Sequence, residues 1–309
     1  MSYRLSGIVL LLLFTNHTWG INHSHQVDGN LKTPGVGKSV KALCRGIAPE
    51  NDMYIGVNDR RASGINKETF DAVLDQVDAY YRPILDRMGK NLVIKRNWTD
   101  GTVNAYAEQI ENTWQISMFG GLARHQYTTR DSFAMVACHE MGHHMGGAPK
   151  YGGGIDWASN EGQSDYYAAL KCMRFIFSGD DNEKIISKGS VDPLVEKQCR
   201  LSFSTPPEQA LCIRTSMAGR NLSWLLNDLS GSVKKPSFNK PDTKKVSQTY
   251  DDHPKAQCRL DTYFNASVCT VSADIPVSHT DYRPGTCIEN APSKDQLSGK
   301  RPRCWFKPD

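Results

Sequence analysis

Apolar residues recur at helical spacing over residues 67–88, at Phe70, Val73, Leu74, Val77, Tyr81, Leu85 and Met88. A stride of three to four puts one face of a helix on a core. Gly89 is a natural stop, and Pro83 is expected to kink or split the helix. "NLVIKR" then reads as a strand. "TVNAYAEQ" and "TWQISMF", separated by a short polar turn, read as a hairpin. The next helix is predicted over residues 128–145, with Thr and Asp at its start as capping groups and Gly146-Gly147 at its end. "KYGGGIDW" is a flexible connection, and residues 160–177 read as another helix. Further helices are expected over 193–200, over 207–229 and from 254 to about 265. "KKPSFNKPDTKK" is a Pro-broken basic loop that reads as a solvated linker. No internal repeat is present. The pattern is that of an α+β protein, mainly helical, with a small antiparallel sheet.

The two ends differ from this pattern. "GIVLLLLF", preceded by Arg4 and followed by small or polar residues up to Gly20, reads as a signal peptide over residues 1–20. The run is far shorter than the roughly 20 residues that span a bilayer, and no later stretch is long enough, so no transmembrane segment is expected after removal. Residues 21–66 read as a leader, 67–269 as the main domain and 270–309 as a cysteine-containing tail. An apolar fraction of 39% allows a real core, and a net charge of only +4 without a recognition motif excludes a nucleic-acid partner.

Nine cysteines in an exported chain are expected to be mostly paired. Proximity suggests Cys258 with Cys269, Cys287 with Cys304, and Cys199 with Cys212, leaving one thiol over. Cys138 adjoins His139, but neighbouring helix positions point roughly 100° apart. Core packing or a disulfide is the better reading for it.

Chemistry concentrates in "ACHEMGHHMGG". His139 and His143, four apart, share a helix face and can reach one ion, while Glu140 projects beside them as a base for a water. A helix with surface histidines is the plain alternative. His144 points off that face and reads as a bystander. A catalytic zinc needs a third protein ligand and one open position. Pro149 stands where a third histidine of the HExxHxxGxxH pattern would fall, so that version fails. "SNEGQSDYYAA" offers Glu161 and Asp165, again four apart on one predicted helix. Glu161 can complete the site, and Asp165 can hold the second nitrogen of a ligand histidine. One catalytic Zn2+ held by His139, His143 and Glu161 is the expectation.

This pairing resembles the gluzincin metallopeptidases, whose pattern is HExxH followed by a Glu-x-x-x-Asp helix. "VNAYA", "WQISMFGGLAR" and the HExxH helix, in that order, resemble metallopeptidase family forty-eight, which includes CAAX prenyl proteases and periplasmic quality-control proteases. "DDHPKAQCRLDTY" is similar to that family's His-Pro-x-x-x-x-Arg element, matching His253, Pro254 and Arg259. The resemblance implies a zincin-like metalloprotease domain, a protein or peptide substrate, and an exported, periplasmic or extracellular zinc endopeptidase. It also makes His253 or Arg259 the second donor to the oxyanion. His253 could equally cap the zinc in a latent state, or simply stabilise a helix start. An edge strand at Asn104, Ala105, Tyr106 and Ala107, or at 116–119, could bind substrate by strand addition. The membrane members of the family carry transmembrane helices and this chain has none, and its cysteine-containing tail has no counterpart. A non-enzymatic, zinc-containing binding or chaperone-like protein is the alternative, and an aminopeptidase a third reading.

Overall fold

The computed structural model describes residues 46–152, 155–290 and 293–309. The expected signal peptide and residues 21–45 of the leader lie outside the described residues, as does Cys44. Helix α1 spans Lys67–Arg87 and buries Phe70, Val73, Leu74, Val77, Tyr81 and Leu85, the stripe its periodicity predicts. Asn66 caps it, accepting from the Thr69 amide. Pro83 lies inside α1 without splitting it.

Strands β1 (Asn91–Asn97), β2 (Ala105–Ile110) and β3 (Thr113–Phe119) form one sheet in the order β1-β3-β2. β2 and β3 pair antiparallel, as the hairpin pattern predicts. Their loop is two residues, and Glu111 takes the left-handed φ of 53° such a loop demands. β1 pairs parallel to β3, so the sheet is mixed rather than antiparallel. The hairpin turn fixes one edge of β3, and β1 reaches the other edge running in β3's own direction. That choice is tertiary and leaves no periodic signal.

Short helix α2 (Gly120–Arg124) leads to α3 (Arg130–Met145). Thr129 and Ser132 cap α3 reciprocally, each side chain accepting from the other's amide. Helix α3 is buried on all sides from Ser132 to His144 and packs on α1, β2 and β3. Helix α4 (Glu161–Tyr167) runs through a π-helical segment, Ala168–Cys172, into α5 (Met173–Phe177), covering the span predicted as one helix. Helices α6 (Asn182–Ile186), α7 (Pro193–Ser202), α8 (Pro206–Leu229) and α9 (Ala256–Val268) complete the described elements. Among the described residues no helix is long and apolar enough to cross a membrane.

Four disulfides join described residues. Cys199–Cys212 forms as expected, and Cys138 pairs with Cys172, tying α3 to the helical run that α4 begins. The expected Cys258–Cys269 and Cys287–Cys304 pairs do not form. Cys258 bonds Cys304 and Cys269 bonds Cys287. Cys258 and Cys269 stand eleven residues apart along α9, about 16 Å at 1.5 Å per residue, whereas a disulfide needs Cα atoms within about 7 Å. The two bonds instead pin the tail to both ends of α9. Cys44 is left as the ninth cysteine. Four disulfides fit an oxidising compartment, and so an exported chain.

The 46–66 stretch and the tail both pack with the rest. Ile47 and Ala48 lie in the main core. Trp305 is fully buried, its indole nitrogen donating to Thr262 Oγ1 at 3.0 Å. A Cβ at Gly162 would fall 2.2 Å from the Trp305 ring, so only glycine lets the tail seat against the start of α4.

Candidate metal centre

Two helices carry the predicted ligands, and local sequence sets where each begins. Asn160 caps α4, its side chain accepting from the Gln163 amide at 2.9 Å, which makes Glu161 the first residue of the helix. The Ser159 amide donates to the His143 carbonyl and the Asn160 amide to the Pro149 carbonyl, folding the connecting loop back onto α3. A Cβ at Gly142 would lie 2.9 Å from both the Cα and the carbonyl oxygen of Ser164. The absent side chain therefore sets how closely α4 approaches α3.

At that crossing His139, His143 and Glu161 come together, each completely buried, with one ligand atom apiece mutually within 4.8 Å. His139 Nε2 is 3.2 Å from Glu161 Oε2, and His143 Nε2 is 3.6 Å from Glu161 Oε1. The other imidazole nitrogens are engaged. His139 Nδ1 donates to Asp165 Oδ1 at 2.8 Å, and His143 Nδ1 donates to the Ser159 carbonyl at 2.8 Å. Each donation fixes the tautomer that leaves Nε2 as a lone-pair donor toward the centre. His139 Nε2, His143 Nε2 and Glu161 Oε2 have no hydrogen-bond partner. Unpaired buried polar atoms are costly. A divalent cation would satisfy all three at once, and two imidazoles with one carboxylate is a donor set suited to zinc. Both carboxylate oxygens of buried Glu140 are also without a partner.

No protein-family model, curated protein or solved structure matches this chain.

The surrounding network is continuous. Asp165 accepts from His139 on one side and is held on the other by Arg259, through Nε at 2.7 Å and Nη2 at 2.7 Å, and by the Tyr263 hydroxyl at 2.6 Å. Tyr263 follows Arg259 by four residues, on the same face of α9. Arg259 is buried and also donates to the Ile47 carbonyl. Its guanidinium thus lies behind Asp165, committed to that carboxylate and to the Ile47 carbonyl. His253 does reach the centre: Nε2 lies 3.5 Å from Glu161 Oε2 and donates to the Gly46 carbonyl at 2.9 Å, while Nδ1 lies 3.0 Å from Asp252 Oδ1.

Burial and charge divide the titrating groups. Burial would depress His139, but the carboxylates of Asp165 and Glu161 more than offset it and hold the ring up to about 9. Burial dominates at His143, lowering it to about 4. Burial raises Glu140 to about 8. Burial opposes ionisation of Glu161 too, yet His253 and His143 hold it well below the usual carboxylate range.

The expected substrate strand is partly covered. Asn104 is buried, its side chain bonded to both the amide and the carbonyl of Ala48. The Ala105 carbonyl accepts from the Ile47 amide at 3.1 Å. Residues 47–48 thus close the Asn104–Ala105 end of the edge, and the Asn104 side chain is structural. Tyr106 stays half-buried with its hydroxyl on Glu50, and the Ala107 side chain is buried. The alternative strand, 116–119, is the centre of the sheet and offers no edge.

Sequence reasoning missed Tyr151, whose hydroxyl donates to Glu161 Oε1 at 2.6 Å and whose ring stacks on His143. It sits in a glycine-rich connection with no periodic signal. His144 is off the ligand face as expected, but it is buried in a stack between Trp114 and Trp157 and donates to the Gln115 carbonyl at 3.1 Å. It locks α3 to the sheet.

Proposed function

We propose that this chain is a zinc-dependent endopeptidase of gluzincin type, similar to metallopeptidase family forty-eight, acting on proteins or peptides outside the cytosol. One observation carries the reading: three unpaired ligand atoms from two helices converge, and the adjacent Glu140 keeps both oxygens free of other partners. The small sheet packed beside the HExxH helix supports a zincin-like fold.

A bound zinc ion would supply Lewis acidity, polarising a carbonyl and bringing the pKa of a water to about 7. Glu140 accepts the proton of the attacking water at a carboxylate oxygen as the O–C bond forms. It then delivers that proton to the amide nitrogen as the C–N bond breaks. Asp165 keeps His139 in its ligand tautomer, and Arg259 and Tyr263 keep Asp165 ionised and aimed. In this reading His253 donates to the oxygen that gains charge, once its Nε2 leaves the Gly46 carbonyl. The Tyr106–Ala107 part of the β2 edge is where an extended substrate can add main-chain hydrogen bonds.

A casein or peptide assay with and without chelator, run beside zinc analysis, tests this. Glu140→Gln should lower turnover by about 10²–10⁴-fold while zinc stays bound. Turnover retained in that variant removes Glu140 as the base. Complete burial of the three ligands favours a second reading, a zinc-containing binding protein without turnover. Zinc-loaded protein that cleaves nothing, yet loses stability on chelation, would select that reading.

A further inference from the structure

We propose that the cavity between the end of α8 and the start of α9 is a binding site for a phosphate- or sulfate-ester group. It encloses about 440 Å³ and is lined by Lys234, Lys235, Lys240 and Lys255, with no acidic residue. The first three belong to the loop whose composition reads as solvated linker, and the fold gathers them around Lys255, the residue just before the first turn of α9. None of the four makes an ion pair among the described residues; Lys235 Nζ lies instead over the rings of Tyr127, at 4.6 Å, and Trp224, at 4.8 Å.

Four like charges bordering one concavity repel each other, and among the described residues no carboxylate lies within ion-pair distance to relieve them. The cavity also borders Ala256 and Gln257, in the first turn of α9. No side chain caps that thirteen-residue helix, so its leading amides add donors on the same side as the lysines.

The kind of anion follows from the donors. Lysine acts as a compact point charge, whereas paired carboxylates are best met by the planar fork of arginine, and no arginine lines the cavity. Several lysines around a compact hollow suit one small, doubly charged tetrahedral oxyanion better than an extended acidic peptide. A soluble ester and a lipid headgroup share that chemistry. Val233, 99% exposed beside the lysine pair, gives the rim an apolar point that could enter a lipid surface.

Calorimetric titration of the full chain with inorganic phosphate, at ionic strength held constant with sodium chloride, tests the site. Saturable binding is expected. The triple variant Lys235→Gln, Lys240→Gln, Lys255→Gln should weaken it at least tenfold, with an unchanged denaturation midpoint. Lys244→Gln with Lys245→Gln, on the same loop but outside the cavity, should leave it unaltered. Phosphatidylglycerol vesicles compared with phosphatidylcholine vesicles separate the sources. Vesicle capture lost in the triple variant identifies a headgroup, and phosphate binding without capture identifies a soluble ester. Absent phosphate saturation, equal binding by the triple variant, or tighter binding of polyglutamate than of phosphate overturns the proposal.

Discussion

Replacing Gly142 with alanine should destabilise the protein, although the same change inside an ordinary helix does the opposite. Alanine is favoured over glycine in a helix interior by about 1 kcal/mol. Here the new methyl would sit 2.9 Å from the Cα and from the carbonyl oxygen of Ser164, and 3.2 Å from its Cβ. Both close partners are backbone, so no side chain can swing aside. Restoring a 3.4 Å contact requires α3 and α4 to separate by roughly 0.5 Å. Overpacking of this kind costs about 1–3 kcal/mol. Subtracting the propensity gain leaves a net loss of about 1 kcal/mol without metal. The separation also moves Glu161 relative to both imidazoles, by about the tolerance a preorganised site allows. A tenfold loss of zinc affinity would remove a further 1.4 kcal/mol or so of metal-linked stability. Urea denaturation in chelator and again in excess zinc, with zinc affinity measured by competition, separates the two terms. Equal or greater stability in chelator together with unchanged zinc affinity would refute the packing argument.

Trp305→Ala should cost about 3–5 kcal/mol, because it empties a fully buried site against Gly162 and removes the donor to Thr262; a urea-melt loss under about 1 kcal/mol would contradict the tail's place in the core. Tyr151→Phe keeps the ring on His143 but deletes the hydrogen bond to Glu161, so zinc affinity should fall about 10–100-fold with the fold intact, and equal affinity would make Tyr151 a packing residue only. Asp165→Asn leaves the buried Arg259 charge without its partner, and a loss of about 3–5 kcal/mol is expected in thermal or urea unfolding; a near-neutral variant would show that the pair does not hold the site.

By itself the sequence determined what is local and periodic. The stripe on α1, the hairpin, the capped helix that carries His139 and His143, and the shared face of Glu161 and Asp165 all follow from spacing and capping chemistry within a few residues. The pair Cys199–Cys212 was legible too, because a short turn between α7 and α8 folds these thirteen residues back on themselves. Tertiary structure decided what depends on which elements meet. The parallel placement of β1, the Cys258–Cys304 and Cys269–Cys287 bonds, the withdrawal of Arg259 behind Asp165 and the arrival of Tyr151 at Glu161 each join residues that no local repeat connects. A helix separates residues along its length by a fixed rise, so nearness in sequence misled at Cys258 and Cys269, and only the packing of the tail against α9 brought their true partners within reach.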